Sequence, residues 1–163
     1  MIEQFLSLKG LRLLVVDNNC DSREILTLTF NMEGAEVIAV SSVKEGLEVM
    51  AASKPNILLS ELILPEEDGY SLVKRIRSLK PEQGSRIPAI AVTVAAGEDD
   101  RTHALAAGFN VHVSKPVDLD KLVEIVVMLA DRNYLYTSGV GLNLTSNIVS
   151  SKSPELYYCD GTK

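Results

Sequence analysis

Two cysteines in 163 residues, Cys20 and Cys159, with no CxxC pair, leave no disulfide framework and suit a reducing compartment. Histidine is as scarce: His103 and His112 are too few, and wrongly spaced, to read as a metal cluster. Basic residues are outnumbered, 16 Lys and Arg against 22 Asp and Glu, and a net charge of -6 without a basic patch argues against a nucleic-acid binder. No apolar run is long enough to cross a bilayer, so no membrane association is expected. The opening Met1-Ile2-Glu3-Gln4-Phe5-Leu6 lacks the basic and long apolar regions of a secretion signal. A cytoplasmic protein is therefore expected. Two phosphate-binding signatures are also missing. There is no GxxxxGK[ST] loop, and the turn after the first apolar run reads Asp17-Asn18-Asn19-Cys20 instead of GxGxxG. P-loop nucleotide hydrolysis and dinucleotide binding are thereby set aside.

What is present reads as one globular domain with an appendage. Hydrophobic residues make up 46% and charged residues 23% of the chain, enough for a real core. Leu11 to Val16 is an apolar run interrupted only by Arg12, which predicts a buried strand. Asp21 to Glu33 predicts a helix with Ile25, Leu28 and Met32 as its apolar face and Gly34 as its stop. Ala35 to Val40 is a second strand. Ser42 with Glu45 forms a capping box that opens a second helix, ended near Pro55. Ile57 to Ser60 predicts the third strand, and Tyr70 to Leu79 a helix with Leu72, Val73, Ile76 and Leu79 inward. Pro88 to Val94, Asp99 to Ala107, Asn110 to Val113 and Leu119 to Ala130 continue the alternation. Cys20 falls near a helix N-terminus and is read as an ordinary thiol. Residues 1–131 are assigned to the domain. Residues 132–163, rich in Ser, Thr, Asn and Gly, are assigned to a tail or linker partly docked through Tyr134, Leu135 and Tyr136.

Strands alternating with helices predict an α/β protein: a five-stranded parallel sheet with helices on both faces, in the flavodoxin-like order. In such a sheet every strand ends on one edge, and Asp17, Asn18, Glu61, Thr93 and Lys115 all fall there. The chemistry open to that set is phosphoryl transfer. A carboxylate can attack phosphorus to give an acyl phosphate. A divalent cation neutralises the developing charge, and Mg²⁺ takes oxygen ligands such as those of Asp17, Asn18 and Glu61. Lys115 can meet a phosphoryl oxygen, and the Thr93 hydroxyl can follow it.

The runs Leu14-Val15-Val16-Asp17-Asn18, Leu59-Ser60-Glu61, Pro65 through Asp68-Gly69-Tyr70, Ala91-Val92-Thr93, Ala106-Ala107-Gly108 and Ser114-Lys115-Pro116 together resemble the receiver domain of two-component response regulators, the chemotaxis-regulator fold. The likeness spans roughly Leu11 to Ala130. It implies a (βα)5 receiver that is not an enzyme, a cis Lys115-Pro116 bond, and a sensor histidine kinase or other signalling protein as partner. It also implies a partner face on the fourth helix, fifth strand and fifth helix around Arg101, Ala104, His112 and Lys121. The lead-in Leu8-Lys9-Gly10-Leu11-Arg12 resembles that of receivers embedded in hybrid sensor kinases.

Four positions depart from the family pattern. The phosphoacceptor aspartate aligns with Glu61. The acidic pair aligns with Asp17 and Asn18, which removes one metal carboxylate and weakens the implied Mg²⁺ site. A small residue aligns with Val94, which is expected to crowd the phosphoryl position. The aromatic switch residue aligns with His112, expected as a ring packed at the surface, with a pH-sensing role as the alternative reading. Only Thr93 and Lys115 match the other switch positions. Glu61 has two readings here: a partial mimic of the phosphorylated state, or a buried ion pair with Lys115 that carries no signal. The overall expectation is an atypical single-domain response regulator that works by protein–protein contact without needing phosphorylation. The alternatives are a constitutive scaffold outside phosphorelay signalling or a small Mg²⁺-dependent enzyme acting on phosphate esters.

Overall fold

The computed structural model describes residues 8–137, with side-chain surroundings given through Asp131. Strands β1 (Arg12–Val16), β2 (Glu36–Val40), β3 (Ile57–Ser60), β4 (Ala89–Thr93) and β5 (Val111–Ser114) alternate with helices α1 (Cys20–Met32), α2 (Val43–Ser53), α3 (Gly69–Arg77), α4 (Glu98–Ala107) and α5 (Leu119–Thr137). The strands form one sheet in the order β2-β1-β3-β4-β5, and every pairing is parallel. The expected architecture is therefore present, as is the cis Lys115-Pro116 bond.

Alternation along the strands divides the core into two layers. Leu13, Val15, Leu59, Ile90, Val92, Val111 and Val113 pack with Leu26 and Phe30 of α1 and with Leu122, Ile125 and Val126 of α5. Leu14, Val16, Leu58, Ala89 and Ala91 point the other way, onto Val43 and Met50 of α2, Leu72, Val73 and Ile76 of α3, and Ala104 and Ala107 of α4. Strands buried on both faces read as continuous apolar runs, which is why β1, β3 and β4 are plain in the sequence.

Helix α1 corrects one expectation. The expected apolar face is the outer one: Ile25, Leu28 and Met32 are 49%, 58% and 86% exposed, while Leu26 and Phe30 are buried. The helix carries two apolar stripes, and the pair spaced i, i+4 that includes the large Phe30 ring takes the core. Helix α2 behaves as the capping box predicts: Ser42 Oγ accepts from the Glu45 amide at 3.3 Å, and the Ser41 and Ser42 hydroxyls donate back to Glu45 Oε1. Helix α5 continues past the expected end at Ala130 to Thr137. The rest of the expected tail, residues 138–163, lies outside the described residues.

Asn110, expected to begin β5, instead ties β4 to β5 from below. Its side-chain oxygen accepts from the Ala89 amide at 2.8 Å and from Arg77 at 3.1 Å. The Arg77 guanidinium also donates to the carbonyls of Ser85, Ile87 and Gly108, joining the α3–β4 and α4–β5 loops at the edge of the sheet opposite the strand C-termini.

Candidate functional site

The C-terminal edge of the sheet gathers the polar residues that the sequence places there. Asp17 follows β1, Glu61 follows β3, Thr93 closes β4 and Lys115 follows β5. Asp17, Glu61 and Thr93 are 2%, 3% and 0% exposed, so their polar atoms need partners inside the protein.

Glu61 is the centre of the arrangement. Its Oε1 accepts from the backbone amides of Leu62 at 2.7 Å and Ile63 at 3.1 Å, and from the Thr93 hydroxyl. Its Oε2 accepts from the Val94 amide at 3.3 Å and faces the Lys115 ammonium at 3.1 Å. Three backbone amides, one hydroxyl and one ammonium thus converge on a single carboxylate. Asp17 is held beside it: Oδ2 takes the Lys115 ammonium at 2.6 Å, and Oδ1 takes the Asn19 amide at 2.9 Å. Lys115 therefore bridges both acids from a side chain that is only 15% exposed.

The close approach of α3 shapes the floor. A Cβ at Gly69 would collide with the Glu61 carbonyl oxygen and come within 2.9 Å of Leu62 Cα. Only glycine lets the first turn of α3 lie against the backbone that aims Glu61. Asp68 caps that helix by accepting from the Ser71 amide at 2.8 Å.

Three expectations need correction. Val94 does not crowd the pocket: its side chain is 60% exposed, and only its amide faces Glu61. His112 is not at the surface. It pairs with Ala91 in the sheet, its ring is fully buried, and its Nε2 lies 2.8 Å from the Ala95 carbonyl oxygen. Burial is the main cause holding its pKa below the usual 6.5, and Arg101 acts the same way against the opposing pull of Ala95, Asp100 and Glu61. The expected partner face also loses members. Ala104 and His112 are both 0% exposed, because α4 turns Ala104 onto the sheet and His112 points beneath that helix. Arg101 and Lys121 remain partly exposed. His103 is exposed and stacks on Tyr70 with ring centroids 4.1 Å apart.

The implied Mg²⁺ does not fit this pocket well. Asn18 is exposed at the rim, where the family pattern has a carboxylate. All four oxygens of Asp17 and Glu61 already accept from protein donors. Among the described residues no group of three His, Cys, Asp or Glu side chains could hold a metal ion. Two acids facing one lysine and several amides lack the excess negative charge that draws a hard divalent cation.

The backbone amides of Leu62, Ile63 and Val94 are functional groups that side-chain reasoning misses, since every residue but proline carries one. Asn19 is missed too. It caps α1 by accepting from the Ser22 amide while donating its own amide to Asp17, and an asparagine just before a helix is a readable cap signal.

A five-stranded parallel sheet with an acid, a hydroxyl and a lysine meeting at its carboxyl edge defines a receiver-type signalling module. The chain belongs to the response regulator receiver domain family, whose model matches residues 13–127. This is a family of signalling modules, which sets aside the phosphate-ester enzyme. The chain is 39% identical over 120 residues to an uncharacterized 14.6 kDa protein in the sodA1 3' region of Leptolyngbya boryana, covering 74% of this chain and 90% of that one. It is 34% identical over 93 residues to hybrid signal transduction histidine kinase D of Dictyostelium discoideum, covering 56% of this chain but only 6% of the kinase. Among solved structures it resembles a response regulator from Chloroflexus aurantiacus at 28% identity and TM-score 0.71, covering 76% of this chain and 99% of that one. It also resembles the receiver domain of a sensor histidine kinase from Pseudomonas aeruginosa, at 28% identity and TM-score 0.68, covering 75% and 98%. That structure has a magnesium ion coordinated in its active-site cleft.

Proposed function

We propose that this receiver works in two-component signalling as a module that Glu61 holds in one state without phosphorylation. Its output is protein–protein contact in the cytoplasm, with a sensor histidine kinase or another signalling protein as partner. The carrying observation is the set of donors on Glu61. Lys115 and Thr93 are the groups that the family resemblance assigns to a phosphoryl oxygen, and both are bound to the Glu61 carboxylate. The amides of Ile63 and Val94 complete an oxyanion cradle around the same two oxygens. A simple ion pair would need only Lys115. The mimicry is partial, since a carboxylate carries one charge where a phosphoryl group carries close to two.

The same contacts argue against phosphotransfer. An attacking oxygen must give up its donors, and the space beside Lys115 and Thr93 is taken by the residue's own head group. A longer side chain also displaces the nucleophile by about one bond, and errors of that order cost on the order of 10²-fold in rate.

One experiment tests this reading: intact mass after incubation with acetyl phosphate and Mg²⁺. The wild type is expected to show no phosphoryl adduct, and Asn18→Asp/Glu61→Asp is expected to show one. An adduct on Glu61 of the wild type would refute the proposal. No adduct on either protein would favour a scaffold that has left phosphorelay chemistry altogether, a reading to which the poor metal fit lends weight.

A further inference from the structure

His112 is a buried titratable group with no part in holding the Glu61 carboxylate, yet it is joined to it. Its Nε2 lies 2.8 Å from the Ala95 carbonyl. A carbonyl only accepts, so this nitrogen carries the hydrogen and the neutral ring is the Nε2–H tautomer. The Ala95 amide donates in turn to Thr93 Oγ1 at 3.0 Å, and the Thr93 hydroxyl donates to Glu61. The Val94 amide between them reaches Glu61 Oε2. Residues 94–97, which lead into α4 at Glu98, are thus fastened at one end by Glu61 and from below by His112.

The two fastenings differ in kind. Histidine is the side chain whose ordinary titration lies nearest neutrality. Charging the ring leaves its bond to Ala95 possible but makes its place unfavourable. The ring is 0% exposed, and the positive charge of Arg101 on α4 opposes its protonation. Asp100 of the same helix and Glu61 at the end of β3 pull the other way, as does the Ala95 carbonyl, but burial outweighs them. A charged ring is relieved by moving toward water, and that movement breaks the bond to Ala95.

We propose that His112 is a proton-sensitive latch on residues 94–97, which holds the entry to α4 while the ring is neutral and releases it when the ring is charged. The inference rests on the reading of Glu61 as the group that sets this segment, and adds what undoes the setting. It makes the module responsive to acidification in place of phosphorylation.

The test follows two signals in one sample of the full chain by NMR from pH 7.5 to 5: the titration of the His112 ring, and the hydrogen-exchange protection factors of the Val94 and Ala95 amides. His112 is expected to titrate below the usual imidazole range. Protection at both amides is expected to fall by up to about tenfold per pH unit below the ordinary imidazole value, where the released ring takes a proton and the latched ring does not, and to level off once the latched ring is charged. His112→Gln, which keeps a donor but cannot titrate, should show flat protection, and His103→Gln should behave as wild type. Flat protection in the wild type, or an unchanged pH dependence in His112→Gln, overturns the latch. If His112→Gln does not fold, the wild-type signals decide alone: protection that stays flat until the latched ring is itself charged overturns it equally. An adduct in the mass experiment would instead overturn the reading of Glu61 and leave the latch standing.

Discussion

The Lys115 ammonium lies 2.6 Å from the Asp17 carboxylate, although 98 positions separate the two in the chain. The same nitrogen is 3.1 Å from Glu61. One lysine at the end of the last strand therefore neutralises acids at the ends of the first and third.

Removing that lysine should be costly. Lys115→Met leaves two carboxylates facing each other at 2–3% exposure. Stranding buried charge in this way costs about 3–5 kcal/mol. Urea unfolding of wild type and variant measures the difference. A loss well under 1 kcal/mol would mean that water reaches the pocket and the pair is effectively exposed.

Thr93→Val replaces the hydroxyl with a methyl of similar size and removes one donor from Glu61. A loss of about 1–3 kcal/mol is expected, because a buried acceptor keeps its desolvation cost. Val94 and Ala95 should also exchange faster, since the Ala95 amide loses Thr93 Oγ1 as its acceptor. In a double-mutant cycle with Glu61→Gln the two losses should couple, and strictly additive effects would break the proposed cradle into independent contacts.

Mg²⁺ should leave the wild-type melting temperature where it is at millimolar concentration. It should raise that of Asn18→Asp/Glu61→Asp, because a ligand that binds only the native state stabilises it. A clear upward shift in the wild type would restore the metal site that the hydrogen-bonded carboxylates argue against.

Two glycines make a paired prediction. Gly69→Ala puts a methyl into the Glu61 carbonyl, a backbone atom that cannot step aside. Gly46→Ala meets Val16 Cγ2 at 3.1 Å, the end of a side chain, inside a helix that favours alanine. The first should cost about 3 kcal/mol, and the second under about 1 kcal/mol in either direction. Thermal melts of the two variants rank them, and equal losses would show that the approach of α3 to Glu61 is not tight.

Stability should decline in mild acid through His112. Its folded-state pKa is depressed chiefly by burial, so the unfolded chain binds the proton more readily. The stabilisation is fully present above the ordinary imidazole value of about 6.5 and is lost as the pH falls below it. His112→Phe should remove that part of the slope in a plot of unfolding free energy against pH.

The fold was legible because its strands are buried on both faces. Ile57–Ser60 is a bare apolar run, and the acids and the lysine that follow such runs meet at one edge by the rule of parallel sheets. Helix α1 was misread because it has two apolar stripes, and periodicity alone does not say which one meets the sheet. His112 was misplaced for a related reason. A polar residue in a short strand looks exposed until its neighbours are known, and here α4 covers it. The donors on Glu61 were half legible. Thr93 and Lys115 announce themselves by type, whereas the amides of Ile63 and Val94 become donors to it only through the turn of the backbone.

The bridge made by Lys115 also gives the chain a built-in probe of its own folding. Its three charges come from the ends of β1, β3 and β5, and β5 does not pair with β1 or β3 in the sheet. No local fragment can assemble the pocket; it exists only when β1, β3, β4 and β5 are in register. The reactivity of this one amine toward an acylating reagent, low in the native protein and ordinary in the denatured chain, would report the assembly of those four strands from a single residue.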